Sequence, residues 1–311
     1  MNQSDAQARA VVPTDRTRPA LTGLPAEPAD GTHAETQALR ERVASLNKQL
    51  RARPAVSYAQ GLLVGRYGVP GPQEAFALLR EVSQRHNIKL HQVAAALITS
   101  TAPAPGAPQW FPGRVRTPVP PLRVLAPHTL DARNQAAVLK AALHRVLEVA
   151  QAQAGNVQLV EAGLLRLARH HGHSALFTDY FAFVEDGTLC AQAAADGQQR
   201  TVGDIAAAHD VFPDETRQFL WDTGSRAVHS VPLIGTDNIA RGVISAHYHH
   251  RLKDGLDRTR LDTLRQLQQQ MGAYLQWHHH NVVLDALEDL HHGAGGRLPE
   301  RDRGREPWRG D

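Results

Sequence analysis

The sequence predicts a multi-domain protein with two classes of fold: an all-α module near the N-terminus and an α+β module with an antiparallel sheet after it. Apolar residues recur at helical spacing in short blocks up to about residue 100. Eight prolines then crowd residues 101–131, which favours a semi-rigid linker. From residue 132 onward, helical patterns alternate with pairs of strand patterns, an order typical of helices packed against an antiparallel sheet.

The first 53 residues divide into an arm and a helix. Residues 1–32 are rich in Pro, Ala, Thr and Asp, show no periodicity and are expected to be disordered. Residues 33–53 carry apolar side chains at 4-3-4 spacing: Leu39, Val43, Leu46 and Leu50. This spacing favours a coiled coil that pairs two chains. An amphipathic helix that packs on its own domain is the alternative interpretation.

Three short helical patterns fill residues 54–99. Their apolar positions follow the spacing of a buried helix face: Val56, Ala59, Leu62 and Leu63, then Ala75, Leu78, Leu79 and Val82, then Leu90, Val93, Ala94, Leu97 and Ile98. Pro72 suits the first turn of the second helix. Asn87 suits its end, because asparagine tolerates the left-handed backbone conformation. We therefore expect a bundle of three helices.

The positive charge is concentrated in this first part of the chain. Residues 32–100 contain nine Lys or Arg and four Asp or Glu, whereas residues 136–280 contain thirteen and fifteen. A basic module inside a nearly neutral protein suits a partner that carries phosphates. An arginine-rich helical surface that is only solvated is the alternative.

A spaced set of residues in the bundle carries a family resemblance: Ala59, Gly61, Leu63, Ala75, Leu78, Leu79, Ser83, Asn87, Lys89, Leu90, Val93 and Ala94. On the basis of these residues, the segment from about residue 40 to residue 100 resembles the ANTAR domain, an RNA-binding module of bacterial transcription-antitermination regulators. The resemblance implies an RNA partner, namely structured hairpin loops in nascent transcripts. The chain departs from the family pattern at Gln60 and Ile88, where the family often has a basic residue.

Eight side chains are the candidates for RNA contact that follow from this resemblance: Arg66, Tyr67, Arg80, Ser83, Gln84, Arg85, Asn87 and Lys89. The cations would hold phosphates, the hydroxyl and amide groups would reach base edges, and Tyr67 would stack on a base. Two of the eight have a structural alternative. Ser83 could serve close helix packing, and Asn87 could serve only as a helix cap.

The proline-rich residues 101–131 have no lasting apolar period. Trp110 and Phe111 stand out within them. We expect both to dock on a neighbouring domain, because a linker otherwise has little use for large aromatic side chains.

The second module, expected at residues 132–290, begins with a helix and a hairpin. Leu139, Leu143 and Val146 form a helical stripe, and residues 155–172 predict two strands joined by a tight turn at 161–163. Further elements are expected in this order: a helix through Leu176, Tyr180, Phe181 and Phe183, a helix of small residues, a strand at 200–202, a helix at 212–222, strands at 227–235 and 241–250, and a long helix from 256 to 277 or as far as 290.

Five segments of this module carry a second resemblance: 155–159, 186–190, 202–205, 228–233 and 242–245. On them, residues 132–280 resemble the GAF domain, a sensor of small molecules. The resemblance implies a six-stranded sheet with a pocket on one face, and helices on the other face that commonly pair in dimers. It also gives the candidate pocket residues: Phe181, Cys190, Asp204, His229 and Ser230. The expected ligand of this pocket is a small molecule whose identity, like that of any cofactor, the sequence does not specify.

The residues that could carry chemistry are few. Cys190 is the only cysteine, so it has no resolving thiol in this chain; it is either a buried inert residue or a point of redox chemistry or ligand attachment. His247 and His249 share a strand face, but no third metal ligand is identifiable. The histidine groups at strand ends, at 278–280 and at 291–292 are expected to face water. No catalytic motif or metal site is predicted.

The predicted protein is therefore a cytoplasmic, homodimeric RNA-binding regulator of transcription antitermination, controlled by a ligand or partner of its GAF-like domain, and not an enzyme. The start of the sequence lacks an apolar signal segment, and no apolar run is long enough to cross a membrane. Residues 291–311 are expected to form a disordered tail. The alternative is a GAF-based signalling or interaction scaffold whose helical module no longer binds RNA, which Gln60 and Ile88 favour.

Overall fold

The computed structural model describes Arg42 and residues 54–125 and 130–295. The predicted arm at 1–32, all of the predicted coiled-coil helix except Arg42, and the tail beyond residue 295 lie outside the described residues. None of the helices that the structure describes has the length and the apolar character of a membrane-spanning segment.

The predicted bundle of three helices is confirmed, and residues 54–99 are called the helical module. Its helices are α1 at residues 54–67, α2 at Pro72–Arg85 and α3 at Leu90–Thr99. Pro72 opens α2 as expected. Asn87 follows the end of α2 with φ of 52°, the left-handed conformation that stops a helix. The apolar face of α2 is buried at the predicted residues: Ala75, Leu78, Leu79 and Val82.

Residues 101–125, called the strap, contain no helix or strand. Their side chains nevertheless enter the core: Trp110, Leu122 and Leu125 are buried. The backbone N–H groups of Trp110 and Phe111 donate to the carboxylate of Glu288, at 2.9 and 3.1 Å. The predicted docking of the two aromatic residues is therefore confirmed.

Residues 132–295, called the sheet module, form an α+β fold. In chain order its elements are α4 (Gln135–Ala150), β1 (Ala154–Glu161), β2 (Leu164–His171), α5 (Ala175–Tyr180), β3 (Phe183–Val184), α6 (Leu189–Asp196), β4 (Arg200–Val202), a 3₁₀ turn (Ile205–Ala207), α7 (Asp214–Asp222), β5 (Ala227–Ile234), β6 (Ala240–Tyr248), α8 (Arg258–His278), a π-helical turn (His279–Val283) and α9 (Leu284–Gly295). The six strands form one antiparallel sheet in the order β3-β2-β1-β6-β5-β4.

Two local expectations have different outcomes. The tight turn between β1 and β2 is confirmed: Ala162 and Gly163 both have positive φ, 50° and 84°, as a two-residue hairpin turn requires. The helix expected to run through Phe183 is shorter, because α5 ends at Tyr180 and Phe183 pairs with Arg166 of β2 as part of strand β3.

Side chains alternate across the sheet and so divide its two faces. On one face, Val157, Val231 and Ile244 join the core that includes α4 and α8. The other face is covered by α5, α6 and α7, with a separate apolar cluster that includes Phe177 and Leu220. The sheet therefore has a helix-packing face and a face that borders a cavity.

Helix α9 connects the two modules. It continues α8 through the π-helical turn and packs against α2 and α3. One apolar cluster accordingly runs from Leu63 and Leu79 in the helical module, through Leu287 and Leu290 in α9, to the sheet. The helical module, the strap and the sheet module thus share a single core.

Candidate nucleic-acid interface and sensor pocket

Two of the eight predicted RNA-contact residues, Arg66 and Tyr67, face the protein instead, so the prediction is wrong for them. Tyr67 is 6% exposed, and its hydroxyl lies 2.8 Å from Nδ1 of His291. The guanidinium carbon of Arg66 lies 5.2 Å from the ring centre of Trp110. Burial raises the pKa of Tyr67. Sequence reasoning missed these contacts because their partners are distant along the chain.

Ser83 and Arg85 are also engaged inside the protein. The hydroxyl of Ser83 donates to the carbonyl of Ile88 at 2.6 Å, which closes the loop between α2 and α3 and supports the packing interpretation. Arg85 pairs with Glu81 at 2.7 Å and with Asp289 of α9 at 3.3 Å. Its charge is therefore largely compensated.

The other four candidates are exposed: Gln84, Asn87 and Lys89 lie where α2 turns into α3, and Arg80 lies one turn before Gln84 on α2. We call them the α2–α3 corner: Arg80, Gln84, Asn87 and Lys89. Neither Arg80 nor Lys89 forms an ion pair with any residue that the structure describes. The corner thus presents two uncompensated cations beside two amide side chains.

The two departures from the family pattern have structural roles in this chain. Ile88 is 4% exposed and belongs to the core of the helical module. The side-chain amide of Gln60 donates to the carbonyl of Pro72 at 2.7 Å, which ties α1 to the start of α2. Position 88 therefore offers no surface here on which a charge could meet RNA.

A groove of about 490 Å³ runs beside the α2–α3 corner. Lys89, Gln84 and Asn87 line one wall, and Arg166 and Arg169 of β2 line the other. Sequence reasoning did not single out these two arginines, because the sheet module as a whole carries a small negative charge. A charge count over β2 alone would have marked them.

The second candidate site is a cavity between the sheet and helices α5–α7. Three of the five predicted pocket residues line it: Phe181, Cys190 and Ser230. Its volume is about 30 Å³, room for about two water molecules. A larger ligand requires side chains of α5–α7 to move.

The other two predicted pocket residues, Asp204 and His229, lie elsewhere, so the prediction is wrong for them. Oδ1 of Asp204 accepts from the N–H of Ala206 at 3.1 Å, and the Asp204 carboxylate pairs with Arg251. His229 follows Val228 and precedes Ser230 in β5, so its side chain takes the opposite face, where Nδ1 lies 2.8 Å from Oγ1 of Thr201.

The cavity lining is largely apolar, but uncharged polar side chains of the sheet contribute to it. Asn156, Gln158, Ser245 and His247 line it and are buried. Burial lowers the pKa of His247 to about 3, so its ring is neutral near pH 7. Oδ1 of Asn156 and Oε1 of Gln158 have no hydrogen-bond partner among the described residues. These oxygens would accept hydrogen bonds from an uncharged ligand. In the sequence, Asn156 and Gln158 could have been identified as polar residues at alternate positions of an otherwise apolar strand.

Cys190 fits the interpretation as a buried residue. Its Sγ lies 3.1 Å from Oγ1 of Thr188, and burial raises the pKa of the thiol. A protonated thiol is a poor nucleophile.

Three histidines expected to face water are buried: His247, His278 and His291. His247 lies under α5, with Nδ1 3.1 Å from the hydroxyl of Ser225. His291 is covered by the helical module and the strap. The prediction failed because all three are covered by elements distant in sequence. Within the described residues, no group of three or more His, Cys, Asp or Glu is placed to hold a metal ion.

Family models assign both modules. A model of the ANTAR domain matches residues 44–98, and a model of the GAF domain matches residues 132–276. The chain therefore contains an ANTAR domain followed by a GAF domain, in agreement with both resemblances. A comparison with curated proteins found no match.

Solved structures similar to this chain include GAF-containing proteins. A GAF domain/HD domain protein from Geobacter sulfurreducens is 15% identical over 45% of this chain and 91% of its own, with a TM-score of 0.40. The GAF domain of a two-component sensor histidine kinase from Bacillus halodurans is 16% identical over 46% and 93%, with a TM-score of 0.39. Free methionine-R-sulfoxide reductase from Neisseria meningitidis is 22% identical over 50% and 83%, with a TM-score of 0.37.

Proposed function

We propose that this chain, which joins an ANTAR domain to a GAF domain, is an RNA-binding regulator of transcription antitermination. Both are regulatory or sensory domains, so the chain is a regulator with a sensor module. The observation that best supports RNA binding is the α2–α3 corner. Its cations Arg80 and Lys89 have no acidic partner among the described residues, whereas Arg85, on the same helix as Arg80, is compensated.

The chemistry of the corner suits a hairpin loop. Cations attract phosphates, and the amide groups of Gln84 and Asn87 can donate to and accept from the edges of unstacked bases. Two such faces held in one dimer would bind paired loops more tightly than either face alone, because the second contact becomes intramolecular. The predicted pairing elements are residues 33–53, α4 and the long C-terminal helix.

The GAF cavity supports a sensor role for an uncharged small ligand with hydrogen-bond donors. Such a ligand would satisfy the free oxygens of Asn156 and Gln158. To control RNA binding, it must favour one arrangement of the protein over another. The path offered by the fold runs from the sheet through α8 to α9, whose Asp289 contacts Arg85 and His86. No catalytic step is proposed.

A titration with hairpin RNA at several salt concentrations tests RNA binding. RNA that carries two hairpin loops should bind with an affinity that falls steeply as salt rises. Arg80→Ala and Lys89→Ala should each weaken binding and lower the salt slope, while Lys253→Ala, an exposed lysine far along the chain, should do neither. Equal and weak binding to any RNA would exclude antitermination as the function.

The second candidate is a signalling scaffold without RNA binding. It is favoured by the burial of Ile88 and by the internal contacts of Arg66, Tyr67 and Arg85. Under this alternative, Lys89→Ala and Lys253→Ala would behave alike in the RNA titration, and a ligand of the GAF cavity would still raise the thermal stability of the protein.

A further inference from the structure

The groove beside the α2–α3 corner is built by both domains. From the ANTAR side it is lined by Lys89 and the first turn of α3, and from the GAF side by Arg166 and Arg169. Contacts between the domains fix this geometry. Nδ1 of His91 lies 2.8 Å from the carboxylate of Glu161 at the end of β1, and the amide of Gln92 donates to Gln135 of α4 at 2.9 Å.

A β-bulge explains why both arginines face the groove. Residues three apart in a regular strand lie on opposite faces. Between β1 and β2, however, Arg166 is opposite Leu159 while Arg169 is opposite Val157, so β2 contains one additional residue in between. That bulge restores the alternation one residue late and places both arginines on the face that packs against α4.

The groove has more positive than negative charge. Lys89, Arg166 and Arg169 face a single carboxylate, Glu161. This carboxylate is held by His91 and lies 3.9 Å from Arg166. Arg169 donates from Nε to the carbonyl of Ala136 at 3.3 Å, a contact with no negative charge. Within the described part of the chain, neither Lys89 nor Arg169 has an acidic partner.

The shape and the floor suit a strand of RNA. A volume of about 490 Å³ falls within the range of sites for small organic molecules, roughly 300–1,000 Å³, which includes a nucleotide. The floor is apolar, with Leu139, Leu159 and Leu167. Amide side chains stand at the rim, and the N-terminus of α3 adds the positive end of a helix dipole.

We propose that Arg166 and Arg169 of the GAF domain form the second half of the RNA-binding surface, and that phosphates of a loop held at the α2–α3 corner continue onto them. This rests on the proposed RNA-binding function. The GAF domain would then take part in RNA recognition although its total charge is slightly negative. It also places part of the RNA contact on the sheet that carries the sensor cavity on its other face.

The test compares arginine variants of the full chain in the RNA titration. Arg169→Gln should weaken binding roughly tenfold at low salt and lower the salt slope by about 0.7, the value for one phosphate contact on a single strand. Arg169→Lys should keep most of the slope. Arg258→Gln is the matched control, because Arg258 lies on α8 with a side chain that is 96% exposed.

The outcomes separate this inference from the function on which it rests. If Lys89→Ala weakens binding but Arg169→Gln and Arg166→Gln match Arg258→Gln, the inference is wrong and RNA binding by the ANTAR domain stands. If the unaltered protein binds no RNA, both are wrong. Thermal unfolding of each variant shows whether a loss of binding reflects a loss of fold. If Arg169→Gln unfolds, Arg169→Lys still tests the inference, because it keeps the positive charge and should therefore keep RNA binding.

Discussion

The two sides of the ANTAR domain differ in how their polar groups are used. On the side of α9, Asp289 holds Arg85 and His86, and His291 holds Tyr67. On the side of the groove, Lys89 has no acidic partner among the described residues. The positions of the carboxylates, rather than the number of Lys and Arg, therefore distinguish a structural face from a candidate interface.

Removal of a core side chain on the α9 side should have the largest effect. Leu287 is fully buried where α9 meets the ANTAR helices. Leu287→Ala should lower the free energy of unfolding by about 2–5 kcal/mol, measured by urea denaturation. Gln84→Ala on the groove side is the control and should change it by less than about 0.5 kcal/mol. Similar losses in both variants would contradict a structural role specific to the α9 side.

Tyr67→Phe tests whether Tyr67 belongs to the structural side. Without the hydroxyl, the buried Nδ1 of His291 loses its partner, and the free energy of unfolding should fall by about 1–3 kcal/mol with RNA affinity unchanged. Tyr58→Phe is a matched control, because Tyr58 is 60% exposed. A variant of Tyr67 with full stability and weaker RNA binding would return this residue to the RNA-contact set.

Acid should weaken the fold before it affects the groove. Burial lowers the pKa of His229 and His278 to about 4 and that of His247 to about 3. In the unfolded chain these histidines have a pKa near 6.5, so the unfolded chain binds more protons than the folded protein below that pH. Their contribution to stability is therefore fully present above about pH 6.5 and is lost as the pH falls toward 4. Each histidine contributes at most about 1.4 kcal/mol per pH unit.

His278→Gln should make this pH dependence shallower in urea denaturation between pH 4 and 7, while a variant of the exposed His250 should not. An unchanged slope in His278→Gln would show that this histidine is not buried in its neutral form. RNA affinity at the groove should vary less with pH than stability does, because the cations proposed to hold phosphates, Lys89, Arg166 and Arg169, stay charged throughout.

Asp289→Asn should lower the stability least among these variants, and it should strengthen RNA binding. The pairs of Asp289 with Arg85 and with His86 are partly exposed, so the loss of each should cost at most about 1 kcal/mol. RNA affinity should rise, because Arg85 is no longer compensated by α9. Asp262→Asn, which breaks a comparable pair on α8, should leave affinity unchanged. Weaker RNA binding in Asp289→Asn would mean that Asp289 positions Arg85 for RNA.

Local patterns predicted most of the fold. Helical spacing predicted α2 and α3, and strand-forming runs predicted the hairpin and the strands β5 and β6, because each pattern depends on neighbours along the chain. The histidine environments could not be predicted this way: Tyr67 and His291 meet across most of the sequence. The proposed domain boundaries stay predictions.

The candidate sites were predicted only in part, for two reasons. A family motif marks a segment such as 228–233 but does not say which of two adjacent side chains enters the cavity. Ser230 lines the cavity, whereas His229 lies on the opposite face of the strand. The pairing of Arg166 with Arg169 depends on a bulge in register, which no periodicity reveals.

The core shared by the two domains has a practical consequence for dissecting the molecule. A fragment that begins at residue 132 and ends at 295 would keep α9 but lose the helices that cover Leu287 and Leu290. Its last helix would then present an apolar stripe to water, a surface that favours self-association. A GAF fragment cut at the end of the π-helical turn, at residue 283, removes that stripe and is the better starting point for binding studies on the sensor cavity alone.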